Sequence, residues 1–206
     1  ILTLQRLLRD RYLQKFRIWK PCYSVPPDPT RSGFEAGKLL EMASELSMKV
    51  VAVINTHGHS DHIAENREIV SETGAKVIAH ELATFTVDQY IKDREKFKIG
   101  DLTIETVHTP GHSPDSVCFI VNDEIIFTGD TLFVSECGRT DLPGGSNEDM
   151  YNSLVKIMRK MPDNLIVYPG HDYGPAKTSK MGVEKVNNYT LEERTKDEFL
   201  KFMCEP

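Results

Sequence analysis

Three histidines fall within six residues in the segment Thr56–His62, which reads T-H-G-H-S-D-H. Imidazole and carboxylate groups are the ligands that suit zinc, iron or manganese. Packing several neutral imidazoles and an aspartate together without a cation costs desolvation and leaves polar atoms unpaired. The segment follows directly on Val50–Ile54, a continuous apolar run of the kind expected of a strand buried on both faces. In extended backbone alternate side chains share a face, so His57 and His59 point the same way. Gly58 between them permits a sharp bend and the close approach of a ligand. Asp61 and His62 then sit at the turn into the next helix, aimed at a neighbouring point.

Three further segments repeat this arrangement of a strand, a glycine and a ligand-type residue. Leu102–Val107 leads into T-P-G-H and ends at His112. Glu124–Thr128 leads into G-D and ends at Asp130, and Leu165–Tyr168 leads into P-G-H and ends at His171. Loops at one edge of a sheet are where sites are assembled. His57, His59, Asp61, His62, His112, Asp130 and His171 are therefore the expected metal ligands, enough for two ions with open positions. His80 and His108 fall outside this pattern and read as structural, His108 on a strand approach and His80 at the opening of a helix.

The elements that must position these groups follow from periodicity. Gly33–Ser47 reads as a helix with Phe34, Leu39, Leu40, Met42 and Leu46 inward. Helices are also expected over His62–Glu72, Leu82–Glu95 and Leu191–Met203, and from a cap at Asn147 through Met161, with Glu148 and Asp149 in its first turn. Lys76–Ala79 reads as a short strand. Ser116–Val121 and Glu124–Thr128 read as a hairpin across Asn122-Asp123. At the start of the chain, Leu4, Leu8, Tyr12 and Phe16 would form one apolar stripe on a helix among six basic residues. Residues 1–20 therefore read as a terminal helix or strand pair packed on the domain, with a basic amphipathic helix for a membrane surface or partner as the alternative. Pro21–Pro29 reads as a loop. Mixed strands and helices imply an α/β or α+β protein, and 206 residues favour a single domain over 1–206.

Composition excludes several classes. Hydrophobic residues at 39% and charged residues at 27% suit a globular protein with a real core. A net charge of -6 opposes nucleic-acid binding, which needs a basic face. No apolar run reaches the roughly 20 residues of a membrane span. Cys22, Cys118, Cys137 and Cys204 lie far apart, with no C-x-x-C spacing. They suggest a reducing, cytoplasmic setting, and the first residues turn charged too early for a secretory signal.

His57-x-His59-x-Asp61-His62, followed by His112, Asp130 and His171, resembles the metallo-β-lactamase fold superfamily over about residues 30–205. The resemblance implies an αββα four-layer sandwich with its metals at one rim. It assigns His57, His59 and His112 to one metal, Asp61, His62 and His171 to the other, and Asp130 to a bridge between them. Zinc β-lactamases resemble this pattern with a Cys in place of Asp130, so antibiotic hydrolysis is not expected. Residues 1–27 match poorly the strand hairpin that the resemblance would place there.

G-R-T-D-L-P-G-G (Gly138 to Gly145) and Y-P-G-H-D-Y-G (Tyr168 to Gly174), then Glu184-Lys185 and Asn188, are similar to the glyoxalase II-like hydrolases. The second of these motifs, C-G-R-T-D (Cys137 to Asp141) and D-P-T (Asp28 to Thr30) also resemble the persulfide dioxygenases. The hydrolase branch implies two divalent ions, zinc first with iron or manganese as alternatives. It also implies cleavage of a thioester of a glutathione-like thiol by a metal-held hydroxide, since metal binding lowers the pKa of water from 15.7 to about 7. Asp61 and Asp130 would fix metal spacing and water orientation. The dioxygenase branch implies one Fe(II), held by His57, His112 and Asp130 as a facial triad and oxidising glutathione persulfide. A nuclease of the same superfamily is a remote third reading, opposed by the acidic balance.

The partner expected is a small thiol-derived molecule, with no nucleic acid and no membrane span; the oligomeric state is left open. Arg139 could clamp its carboxylate through a bidentate fork, or lock its own loop by pairing with Asp141. Tyr173 could donate a hydrogen bond near the site or simply pack. Lys177 and Lys180 are candidate anion contacts, and Cys137 reads as a small buried residue. Only 35 residues follow His171 in this sequence, too few for the helical glutathione-binding domain of long glyoxalase II enzymes.

Overall fold

A computed structural model describes residues 18–19 and 32–204 of the protein. The stripe at Leu4, Leu8, Tyr12 and Phe16, the Pro21–Pro29 loop, D-P-T and Cys22 lie outside the described residues. The strands are β1 (Ile18–Trp19), β2 (Ala52–Ile54), β3 (Lys76–His80), β4 (Gln89–Ile91), β5 (Lys96–Ile99) and β6 (Leu102–His108). They continue as β7 (Val117–Val121), β8 (Ile125–Gly129), β9 (Leu132–Phe133), β10 (Glu136–Cys137), β11 (Ile166–Pro169) and β12 (Ser179–Lys180). The helices are α1 (Ser32–Glu45), α2 (Ser60–Ile63), α3 (Asn66–Thr73), α4 (Asn147–Tyr151), α5 (Met181–Asn187) and α6 (Lys196–Cys204).

Two sheets dominate. One has the order β1-β2-β3-β4 with every pair parallel. The other is mixed, in the order β12-β11-β8-β7-β6-β5. Period-two alternation sorts their side chains into separate cores. Ala52, Ile54, Ile78 and Ile91 of the parallel sheet meet Leu102, Ile104, Val117, Phe119, Val121 and Ile125 of the mixed sheet, which places the sheets face to face. On the outer side of the parallel sheet, Val50 and Val53 pack with Ala36 and Leu39 of α1 and Ile69 of α3. On the outer side of the mixed sheet, Cys118, Ile120, Ile126 and Val167 pack with Met150, Leu154, Met158 and Phe199. The result is the αββα four-layer order. Each fully buried aliphatic side chain contributes about 1.5–3 kcal/mol relative to exposure.

The hairpin across Asn122-Asp123 forms as expected, with φ of 51° and 55° at those residues and Val121 opposite Ile125. Positive φ at both positions gives the twist that suits a tight hairpin, and Asn and Asp tolerate it. At the outer edge of the mixed sheet β5 turns Lys96 and Lys98 to solvent and half-buries Phe97 and Ile99.

Several expectations are corrected. The helix read over Leu82–Glu95 is absent; a loop leads to β4, which pairs parallel to β3. The spacing of Leu82, Val87 and Ile91 fits a helix as well as a loop and strand, and long-range pairing decides. Asp88 fixes that choice by accepting the Val77 N–H at 2.8 Å. His80 consequently closes a strand instead of opening a helix. The helix read over His62–Glu72 is broken at Ala64–Glu65. The cap of α4 is Ser146, whose hydroxyl accepts the Asp149 N–H at 3.1 Å; α4 then continues as a π-helical stretch, Asn152–Ile157, and a 3-10 turn, Met158–Lys160. The last helix begins at Lys196, after a 3-10 turn at Tyr189–Leu191. No helix among the described residues is long and apolar enough to cross a membrane.

Leu154 is fully buried between the mixed sheet and its helices. Leu154→Ala is expected to lower the unfolding free energy by about 2–5 kcal/mol, read from urea denaturation midpoints, with the denaturant slope unchanged.

Candidate metal centre

The segment after β2 is pinned before it delivers any ligand. The Asn55 amide, fully buried, donates to the His62 carbonyl at 2.9 Å and accepts from Asn66 Nδ2 at 2.8 Å. The Thr56 carbonyl accepts from the Val117 N–H at 2.9 Å, tying this loop to the opposite sheet. His59 is the N-cap of α2, a single turn that contains His62, so the chain curls and aims both inward. A Cβ at Gly58 would meet Phe85 and Asp115 at 3.0–3.1 Å, which explains the small residue there.

All seven expected ligand residues converge. His57, His59 and His112 bring nitrogens together; His57, His62 and Asp130 form a second group, and Asp61, His62 and His171 a third. Within each group the donor atoms lie within 4.8 Å of one another. His59 Nδ1 is 2.9 Å from His112 Nε2, and His62 Nε2 is 3.3 Å from His171 Nε2. Asp130 lies between them: its Oδ1 is 3.3 Å from His62 Nε2, and its Oδ2 is 3.5 Å from His112 Nε2 and 3.2 Å from His171 Nε2. Asp61, half-exposed at the mouth, approaches His171 at 3.3 Å and His62 at 3.6 Å. The other ligand-type groups except His59 are buried.

The electrostatics follow from burial and crowding. Desolvation, then repulsion from His62, pushes His57 well below the usual imidazole range, so it is neutral with a free lone pair. Burial likewise lowers His112. Burial alone would raise Asp130, yet contacts with His171 and His62 hold it well below the carboxylate range. Asp61 is held low mainly by His171. Burial works against a proton on His171, but Asp130 and Asp61 outweigh it and lift the imidazole to about 9. The pocket therefore demands positive charge. His57 Nε2, Asp130 Oδ1 and His171 Nδ1 are buried without a hydrogen-bond partner. The unpartnered His57 Nε2 and Asp130 Oδ1, with the imidazole nitrogens that face them, are the donor set of a divalent cation, and these residues fit one.

The supporting shell was less visible in the sequence. His112 Nδ1 donates to the Arg139 carbonyl at 2.7 Å, which leaves Nε2 for the centre. The Arg139 side chain forms a fork with Asp141, both bonds at 2.5 Å, and both side chains are exposed. Tyr173, 60% exposed, stacks on His171 with centroids 4.9 Å apart and planes 13° apart. Its ring also meets Phe133 edge-on. Lys177 and Lys180 are exposed, on the loop between β11 and β12 and at β12 itself. Burial pushes the Cys137 thiol to about 12. His80 and His108 stack on each other at 4.2 Å, away from the seven. A hydrophilic residue after an apolar strand was the one signal for Asn55; a backbone carbonyl such as that of Arg139 has none.

The fold and this rim of histidines and aspartates define a metallo-beta-lactamase architecture. The chain belongs to the Metallo-beta-lactamase superfamily, whose family model matches residues 32–171. It is 33% identical over 165 residues to the mitochondrial persulfide dioxygenase ETHE1 of Bos taurus, covering 79% of this chain and 65% of that protein. It is 34% identical over 144 residues to a hydroxyacylglutathione hydrolase of Rhizobium etli, covering 68% of this chain and 55% of that one. This chain thus spans about two thirds or less of the length of these relatives. Among solved structures, ETHE1 from Myxococcus xanthus superposes with a TM-score of 0.78 at 30% identity, covering 84% of this chain and 78% of that one.

A Cβ at Gly170 would lie 2.2 Å from Asp130 Oδ1 and 2.9 Å from the Gly129 backbone. Gly170→Ala is expected to displace the Asp130 carboxylate and lower the zinc content after dialysis, measured by elemental analysis, with the circular dichroism spectrum retained. Undiminished zinc content would count against Asp130 as a ligand.

Proposed function

We propose that the protein is a metal-dependent hydrolase that cleaves a thioester of a glutathione-like thiol. The observation that carries this reading is that two ligand groups, His57/His59/His112 and Asp61/His62/His171, are both assembled and adjoin through Asp130. Divalent ions bound there would supply Lewis acidity toward a carbonyl oxygen and lower the pKa of water to about 7. The remaining tasks fall to the chain. Asp61, ionised and half-exposed at the mouth, would help hold an ion and orient the attacking water. Asp130 holds His62, His112 and His171 in register from the buried side. Tyr173 and Phe133 form an aromatic wall beside His171 where an incoming acyl-thiol would lie. The departing thiolate needs little protonation, because a thiol pKa is about 8.5.

A second reading is an Fe(II) dioxygenase acting on glutathione persulfide, with His57, His112 and Asp130 as the iron ligands. Similarity to persulfide dioxygenases in both sequence and fold favours it. In that case His59, Asp61, His62 and His171 would support the iron ligands from outside or be vestigial.

Elemental analysis of aerobic and anaerobic preparations, paired with two assays, separates the readings. Zinc, or mixed zinc and iron, at about two ions per chain with hydrolysis of S-lactoylglutathione is the expected result. One iron with oxygen uptake on glutathione persulfide would overturn the hydrolase. His57→Ala and Asp130→Ala are each expected to abolish turnover by the wild-type activity while leaving cooperative unfolding in place.

A further inference from the structure

The segment from Asp130 to Arg139 touches the centre at both ends. Asp130 presents its carboxylate to His62, His112 and His171, and the Arg139 carbonyl orients His112. Between those ends the chain makes the small β9–β10 hairpin, whose turn includes Ser135 at φ 63°. A non-glycine residue in that region persists only where its surroundings hold it there.

What holds it comes from α5 and the residue that ends it. Glu184, 1% exposed, accepts the Ser135 N–H at 2.8 Å and the Asn188 side-chain amide at 3.0 Å, both on Oε2. Asn188, also 1% exposed, reaches the Phe133 carbonyl at 3.2 Å and the Glu136 carbonyl at 3.1 Å. Two buried side chains thus grip the hairpin at three backbone sites, on Phe133, Ser135 and Glu136. Among the described residues no cation forms an ion pair with Glu184; the hydrogen bonds of its carboxylate go to the turn and to Asn188. A buried carboxylate is costly unless its hydrogen bonds are satisfied, and here they are spent on one turn.

We propose that Glu184 is a positioning residue for the metal centre, acting through the β9–β10 turn on Asp130 and on the Arg139 carbonyl that orients His112. The inference rests on the metal-centre reading above and applies whichever reaction the centre performs. Loss of a residue that orients metal ligands from behind typically weakens metal binding about 10–100-fold.

The test measures zinc affinity by competition with a chromophoric chelator, alongside urea denaturation of the metal-free forms. Glu184→Ala is expected to bind zinc about 10–100-fold more weakly than wild type. Glu184→Gln is expected to restore most of that affinity, because a glutamine amide oxygen can take the place of Oε2 and accept both bonds. Leu154→Ala serves as a control for core loosening: it weakens the core that Leu132 and Cys137 of the hairpin also join, removes none of the hydrogen bonds that hold the turn, and is expected to keep wild-type affinity. Should Glu184→Ala not fold, Asn188→Ala carries the same expectation of weakened binding. Wild-type affinity in Glu184→Ala or Asn188→Ala, or an equal loss in Leu154→Ala, overturns the positioning role alone. Wild-type protein that takes up no zinc overturns the metal centre, and this inference with it.

Discussion

Electron-rich nitrogens and oxygens are crowded here at distances where each repels the next unless positive charge is shared among them. Asp130 and Asp61 raise the affinity of His171 for a proton, which shows how strongly this pocket favours positive charge. His57 stays neutral with its Nε2 unpartnered. Such crowding is stable only when a rigid frame holds the groups against their mutual repulsion. The four-layer sandwich supplies that frame: three separate apolar cores fix the sheets, and the loops at one rim inherit their precision.

The connection between the two sheets at this rim matters as much as the cores. The Thr56–Val117 backbone bond joins the parallel sheet to the mixed one beside the histidines. Gly129 and Gly170 allow β8 and β11 to close in, with the Gly170 N–H donating to the Gly129 carbonyl at 2.7 Å. Side chains at either position would wedge the loops apart. The glycines preceding Asp130 and His171 thus do geometric work that the ligands depend on.

How much of this was legible in the sequence depends on how local each cause is. The convergence of seven residues could be read because four of them, His57, His59, Asp61 and His62, share one short segment, and His112, Asp130 and His171 each follow a strand and a glycine. The four layers could be read because buried strands appear as apolar runs. The stretch from Leu82 to Glu95 misled, since its apolar spacing fits two structures and β4 exists only through pairing with β3. Asn55 gave one faint signal, Glu184 and Asn188 stood in a motif of the resemblance with no role attached, and the Arg139 carbonyl gave none. What an amide, a peptide oxygen or a helix carboxylate binds has no signature in a single chain; the partners lie from 7 to 55 residues away.

The outer strand of the mixed sheet has a consequence beyond chemistry. Among the described residues β5 is the last strand of the mixed sheet, and Lys96 and Lys98 stand on its solvent side, with Lys96 2.9 Å from Glu105. Charged side chains on a lateral strand repel a like strand arriving in register. The same residues that finish the sandwich therefore guard against its uncontrolled growth into stacked aggregates.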